Sequence, residues 1–328
     1  SHSGDTALIG TSAAFFYSAA SFTQGDSNPT PTITGTTGGT FSSDAGVVFI
    51  DTSTGQINLS ASTIASHTIF YIVNGVQASQ TIDIQAAPFL NVNSFSFDGI
   101  DESVDIGAVT ALNVNAFSIS VWLNYNFTPT QFTGNFGVLG NCRFPQGNRG
   151  WRILQSNKNL QFFMHNTQIQ YNVIDGTTVP AFASGQWRHI CCTCDGTNTE
   201  MFIDGVSVAT GAFANPIYDN KTQFRIGMTA NGFVDTFFNG KIDEVSIWDT
   251  GLSSAAVTEI YNSGTPNNLN SLTNASSSNL KSWIRMGEEA TFSNPGGTGN
   301  WILVDQSSEG NNGTSQNMEE SDRTTDTP

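Results

Sequence analysis

Four cysteines, Cys142, Cys191, Cys192 and Cys194, are the soft ligands of this 328-residue sequence, and three of them crowd into the stretch His189–Gly196. A structural zinc site needs four ligands that converge as a tetrahedron. On a strand, Cys192 and Cys194 face one side while Cys191 faces the other with Thr193, so the three thiols do not meet on one ion. They read as small apolar fillers. His189 stands two residues from Trp187, but no Gly-x-Ser-x-Gly nucleophile motif accompanies it, and it reads as a hydrogen-bonded strand histidine. His2, His67 and His165 are scattered and suggest no zinc site. The adjacent carboxylates Asp243 and Glu244 raise glycoside hydrolysis, which needs two carboxyl groups about 5–10 Å apart in one cleft. Neighbouring strand positions point to opposite faces, so the pair could serve one cleft only across a bulge. What remains is stacking on sugars. Phe132 and Phe136 in Gln131–Phe136, Phe233 after Asn231-Gly232, and Phe237 lie in loop-like sequence beside amide side chains. The same rings could equally contact a neighbouring subunit.

These residues must be positioned by a chain with few charges. Charged residues make up 12% of the sequence, about half the usual share of roughly 25%. Eleven basic against 27 acidic residues leave a net charge of −16, a field that excludes nucleic acid as a partner. The only lysines are Lys158, Lys221, Lys241 and Lys281, so Ser, Thr, Asn and Gln must supply the polar surface, which suits an extracellular setting. Apolar runs are no longer than stretches such as Ile69–Val73, far short of the roughly 20 residues of a membrane span. The sequence begins at Ser1 without a signal-peptide pattern and reads as a processed product or a piece of something longer.

The length predicts about two domains. Residues 1–88 are rich in Thr, Ser, Gly and Ile and carry no helical period. They predict short strands at Thr32–Thr34, Val47–Asp51, Gln56–Leu59, His67–Val73 and Gln80–Ile84, with turns at Ser53–Gly55 and Asn74-Gly75. That spacing predicts a small β-sandwich. After Ala87-Pro88 the strands become aromatic-rich. Phe117, Ile119, Val121 and Leu123 share one face at period two and belong in a core. Asp204-Gly205 between Met201–Ile203 and Val206–Val208 predicts a hairpin, because a type I′ turn needs positive φ at both central residues.

The first region, through Asn28–Gly35, Gly38–Ser42, Thr54–Ser60 and His67–Tyr71, resembles the immunoglobulin-like repeats of bacterial and phage surface proteins, which serve as spacers. The second resembles the laminin-G-like, concanavalin A-like jelly-roll family. That likeness is carried by Phe97–Ile106, Phe117–Trp122, Gly185–Ile190 running to Asp195-Gly196, Phe202–Gly205, Arg225–Gly227 and Phe238–Trp248, with a short helix over Leu252–Tyr261. The expected fold is therefore all-β: an immunoglobulin-like sandwich at 1–88, a jelly roll at 89–316, and an acidic, solvated tail at 317–328. The cysteine strand departs from the family's usual residues, consistent with its filler role.

The jelly-roll resemblance implies a calcium ion on the sheet edge, with Asp98, Asp101 and Asp243 as its candidate ligands, since a hard cation takes six to eight oxygens. The alternative is that Asp98 caps a turn with Gly99 and Asp243 binds backbone amides. The Glu-x-Asp-x-x-Glu run of glucanases with this fold is absent, so no enzyme is expected. The paired resemblances imply a virion-surface protein of a bacteriophage, a capsid decoration or fibre. Such a protein would attach to cell-surface glycans or other virion proteins in multiple copies. The alternatives are a secreted or cell-surface bacterial carbohydrate-binding adhesin, and a lattice or filament protein.

Overall fold

The computed structural model describes residues 10–126, 134–143, 149–156, 159–166, 169–174, 183–212, 215–219, 221–231, 234–297 and 299–328. The chain divides into two compact units, Ser1–Leu90 and Asn91–Pro328, two residues beyond the expected boundary. Among the described residues no helix is long and apolar enough to cross a membrane.

Among the described residues, the regular elements of the first unit are all strands. It runs β1 (Phe15–Phe16), β2 (Ser21–Thr23), β3 (Thr32–Ile33), β4 (Thr40–Ser43), β5 (Phe49–Asp51), β6 (Gln56–Ile57), β7 (Ala65–Val73) and β8 (Val76–Gln85). Its main sheet has the order β2-β8-β7-β4, and β1 with β3 and β5 with β6 form two small ribbons. The β7–β8 hairpin follows from Asn74-Gly75, whose φ values of 47° and 78° are the positive pair a tight turn demands. Alternation in β7 buries Ile69, Tyr71 and Val73 on one side. Tyr71 meets Phe41 at 4.6 Å between ring centroids, and its hydroxyl donates to the Thr36 carbonyl at 2.9 Å. The aromatic body is thus buried while its polar tip stays paired.

The second unit is a two-sheet sandwich. Its strands are β9 (Ser94–Asp98), β10 (Ser103–Gly107), β11 (Phe117–Tyr125), β12 (Asn135–Arg143), β13 (Gly150–Ser156), β14 (Asn159–Asn166), β15 (Ile169–Ile174), β16 (Trp187–Cys194), β17 (Asn198–Ile203), β18 (Val206–Ala212) and β19 (Thr222–Ile226). They continue as β20 (Met228–Asn231), β21 (Val234–Phe237), β22 (Asn239–Trp248), β23 (Leu280–Ile284), β24 (Thr291–Phe292), β25 (Trp301–Leu303), β26 (Gly313–Gln316) and β27 (Arg323–Thr324). One sheet has the order β15-β14-β13-β12-β19-β10-β26-β25-β24, the other β18-β17-β16-β11-β22-β9-β27, with β23 also on β22.

The core lies between the two sheets. Phe117, Ile119, Val121 and Leu123 of β11 enter it as their period-two spacing predicts, joined by Trp151, Phe162 and Phe224 from the opposite sheet. Phe117 stacks on Trp151 at 5.6 Å, a contact worth about 1 kcal/mol beyond the area it buries. The other face of β11 is covered as well. Helix α1 (Ser254–Tyr261) starts at Ser253, whose hydroxyl accepts from the Ala256 amide, and it buries Ala256, Val257 and Ile260. Asp204-Gly205 joins β17 to β18 with φ of 52° and 76°, the expected hairpin.

The last residues stay largely exposed, as the sequence suggests, but they are anchored. Strand β27 pairs with β9, Arg323 opposite Phe95. Trp187 Nε1 donates to Asp326 Oδ1 at 3.0 Å, and Lys241 forms an ion pair with the same carboxylate. A short acidic segment reads as soluble by composition, but it is held here by partners far away in the chain.

Candidate functional site

The strongest constellation arises from a register fault in β22. Pairing with β11 runs Ser120 to Ser246, then jumps to Trp122 opposite Asp243, so Glu244 and Val245 together face Val121. Glu244 absorbs the extra residue with a φ of 49°, a left-handed value costly for any residue but glycine. The bulge cancels the alternation that would send neighbours to opposite faces. Asp243, Glu244 and Glu288 each bring one carboxylate oxygen within 4.8 Å of the others.

Each carboxyl has a distinct set of partners. Asp243 is fully buried; its Oδ2 accepts from Asn91 Nδ2 at 2.9 Å and its Oδ1 from the Glu244 amide at 2.8 Å. Glu244 Oε2 accepts from Trp283 Nε1 at 2.6 Å, and its Oε1 from Arg285 Nε at 3.0 Å. Glu288 Oε1 accepts from the amides of Val92 (2.6 Å) and Asn93 (2.7 Å). Gly287 allows this approach, since a Cβ there would lie 2.5 Å from the Asn93 Cβ. Burial, with the Glu244 charge beside it, pushes the Asp243 carboxyl far above the usual range. Burial also raises Glu244 to about 7, against the pull of Arg285 and Trp283.

Two oxygens at this place are buried without any hydrogen-bond partner, Asn91 Oδ1 and Glu288 Oε2. Orphaned buried acceptors cost free energy unless something donates to or coordinates them. Three carboxylates faced by one guanidinium, with an amide oxygen alongside, form a hard, all-oxygen donor set that fits a divalent cation of the calcium type.

The expected ligand set is redistributed. Asp98 ends β9 opposite Asn239, four residues along β22 from Asp243, a separation of about 13 Å at strand rise. Asp98 Oδ1 accepts from the Ile100 amide at 2.7 Å, and Gly99 adopts a φ of 82°, so this aspartate caps its own turn. Asp101 is exposed on the same turn. The neighbouring acid is Glu102, buried, with its Oε2 accepting from the Asp98 amide at 2.6 Å. Burial, with Asp322 and Asp98 nearby, raises Glu102 to about 8. Asp98 and Asp101 therefore do not join Asp243. Glu244, Glu288 and Asn91 do, and of these only Glu244 stood out in the sequence.

The remaining candidates fall elsewhere. Phe132 and Phe233 lie outside the described residues; Phe136 is half-buried within β12, opposite Gln155, and not in a loop. Cys191, Cys192 and Cys194 are buried and free, Cys192 and Cys194 in the core and Cys191 on the other face. Burial lifts the Cys191 and Cys194 thiols well above their ordinary value, which leaves them unreactive. His189 Nε2 lies 2.7 Å from Ser120 Oγ, a pair the sequence did not reveal. Trp122 and Tyr261 lie against the imidazole, and burial lowers its pKa to about 3. With Ser120 1% exposed and His189 fully buried, the pair is structural.

The second unit, a two-sheet sandwich with a short helix on its outer face, has the architecture of a jelly roll, and the comparisons place its likeness among concanavalin A-like domains. Residues 98–258 match the model of the concanavalin A-like lectin/glucanases superfamily in its laminin G form. Among curated proteins, mouse (Mus musculus) pappalysin-1 is 26% identical over 142 residues, which are 40% of this chain and 9% of that protein. The chain thus spans about a tenth of that relative's length. Among solved structures, a candidate carbohydrate binding protein from Bacteroides ovatus superposes with a TM-score of 0.52 at 13% identity, covering 95% of this chain and 97% of the other. A heptameric SAP-like pentraxin from Limulus polyphemus reaches 0.38 at 13% identity, covering 53% and 84%.

Proposed function

We propose that the chain is a non-catalytic carbohydrate-binding protein that attaches to surface glycans through its second unit, with the immunoglobulin-like first unit as a spacer. One observation carries this reading: the likeness to the Bacteroides ovatus candidate carbohydrate binding protein runs through almost the whole length of both chains. The absence of catalysis is supported by the state of the acidic and basic groups. Asp243 and Glu244 are buried and committed to internal partners, and the Ser120–His189 pair is sealed. Calcium is the ion this reading assigns to Asp243, Glu244, Glu288 and Asn91. There it would neutralise the buried carboxylates and tie the start of the unit to the segment after β23.

The resemblance of the paired units to virion-displayed phage proteins supports a place on a virion surface in many copies, where weak contacts add through multivalency. A bacterial cell surface is the other location compatible with glycan attachment. The experiment is a glycan array probed with the full chain in calcium and again in chelator. Saturable binding to a subset of glycans is expected, and an array blank in both conditions would remove the reading.

A further inference from the structure

A cavity of about 650 Å³ opens at the far edge of the larger sheet, between the β24–β25 loop and the segment after β26. Its volume lies within the roughly 300–1,000 Å³ typical of small-ligand sites. We propose that this cavity is a sugar subsite for a neutral or amine-bearing pyranose, an assignment that rests on the carbohydrate-binding reading and names its place.

The floor is apolar and rigid. Phe292 and Met318 line it, 7% and 2% exposed, and Phe292 packs on Trp301 at 5.1 Å between centroids. Trp301 Nε1 in turn donates to the Glu319 carbonyl at 2.8 Å, which locks the second wall to the sheet. The walls are tied to each other at the rim. The Gly296 amide donates to Glu320 Oε2 at 2.9 Å, which fixes that carboxylate across the opening. Glu319 is held the same way by the Asp322 amide in a reciprocal capping box. Asn300 and Asn317 add amide groups to the lining.

No Lys, Arg or His lines the cavity among the described residues, and the chain carries a net charge of −16. Two preset carboxylates and an uncompensated negative field repel phosphate, sulfate and carboxylated sugars. They favour a ligand rich in O–H or N⁺–H donors with an apolar face. A pyranose has both: its C–H face suits Phe292 and Met318, and its hydroxyls or amine can donate to Glu319 and Glu320. Of the aromatic candidates singled out in the sequence, Phe136, the one among the described residues, plays no part in this cavity. Phe136 belongs to β12, five strands away across the sheet.

Met318 makes the subsite observable, because it is one of five methionines and the other four, Met164, Met201, Met228 and Met286, line other parts of the unit. The full chain, labelled with ¹³C-methyl methionine, is titrated with glucose, galactose, mannose, N-acetylglucosamine, glucosamine and N-acetylneuraminic acid. At least one neutral or amino sugar should shift the Met318 methyl saturably while the other four stay in place, and N-acetylneuraminic acid should not. Asn300→Trp should fill the opening and weaken that binding by about tenfold or more, with the four remaining methyl signals reporting an intact fold. Glu320→Gln should weaken glucosamine more than the neutral sugars. A Met318 methyl that no neutral or amino sugar moves overturns the subsite, as does tighter binding of N-acetylneuraminic acid. If the array is positive and Met318 is silent, glycan binding stands and this subsite falls. If a soluble pyranose moves Met318 while the array is blank, the subsite stands and surface-glycan attachment falls.

Discussion

The start and the middle of β22 each lie beside acids, and the chain treats them in opposite ways. At the Asn239 end, Asp98 and Asp101 sit on an exposed turn, and Asp98 spends its carboxylate on the Ile100 amide. At the bulge, Asp243 and Glu244 are buried beside the half-buried Glu288, and two oxygens there have no partner. Acidic residues alone do not make an ion site. A satisfied carboxylate on a turn has little to gain from a cation, whereas buried like charges with orphaned oxygens gain much.

The sharpest way to break this contrast is Glu244→Ala. It removes the acceptor of Trp283 Nε1 and the partner of Arg285, whose side chain is 11% exposed, and should cost about 3–5 kcal/mol in a denaturant titration. A cost below about 1 kcal/mol would mean that the cluster is far less buried than the distances indicate.

Calcium should separate the two places next. At about a hundredfold excess over its dissociation constant, an ion bound only by the folded state adds about 2.7 kcal/mol and raises Tm. That rise should vanish in Asp243→Ala and in Glu288→Gln and persist in Asp98→Ala. The reverse pattern would return the ion to the β9–β10 turn.

The turn end should reveal itself by pH. The Glu102 pKa is raised from 4.5 to about 8 in the folded chain, so its protonated form is favoured by folding. Its contribution to stability is full below the unfolded value of 4.5 and is lost as pH rises through about 8. Glu102→Gln should therefore flatten the decline of stability over that window. Parallel wild-type and variant curves would show that Glu102 ionises normally.

The smallest effect belongs to Asp98→Ala, which removes one turn cap and should cost about 0.5–1 kcal/mol. A much larger loss, suppressed by chelator, would indicate an ion held there.

Much of the scaffold was legible before folding. The alternation in β11 and the Asp204-Gly205 turn are local signals, because strand period and positive φ act within a few residues. The cysteine stretch likewise read correctly as filler, since alternation alone splits Cys191 from Cys192 and Cys194. Asp243 was legible as an acid within a jelly-roll pattern, but its company was not. Asn91 and Glu288 are separated from it by 152 and 45 positions, and nothing in their own surroundings marks them. The contact of Ser120 with His189 was hidden for the same reason, since the two are 69 residues apart and meet only because β11 pairs with β16 in a register that puts Ser120 opposite Cys191, two positions along from His189.

Sequence alone therefore determined which faces of the strands are apolar, where the tight turns fall and that the chain is all-β, since short-range sterics and burial set those. The tertiary structure decided the rest. The bulge at Glu244 places a non-glycine residue at positive φ, a strain no local preference predicts and only the surrounding sheet can hold. The tail became strand β27 because β9 offered it an edge, and the cavity over Phe292 exists because the β24–β25 loop and the segment after β26 close around it.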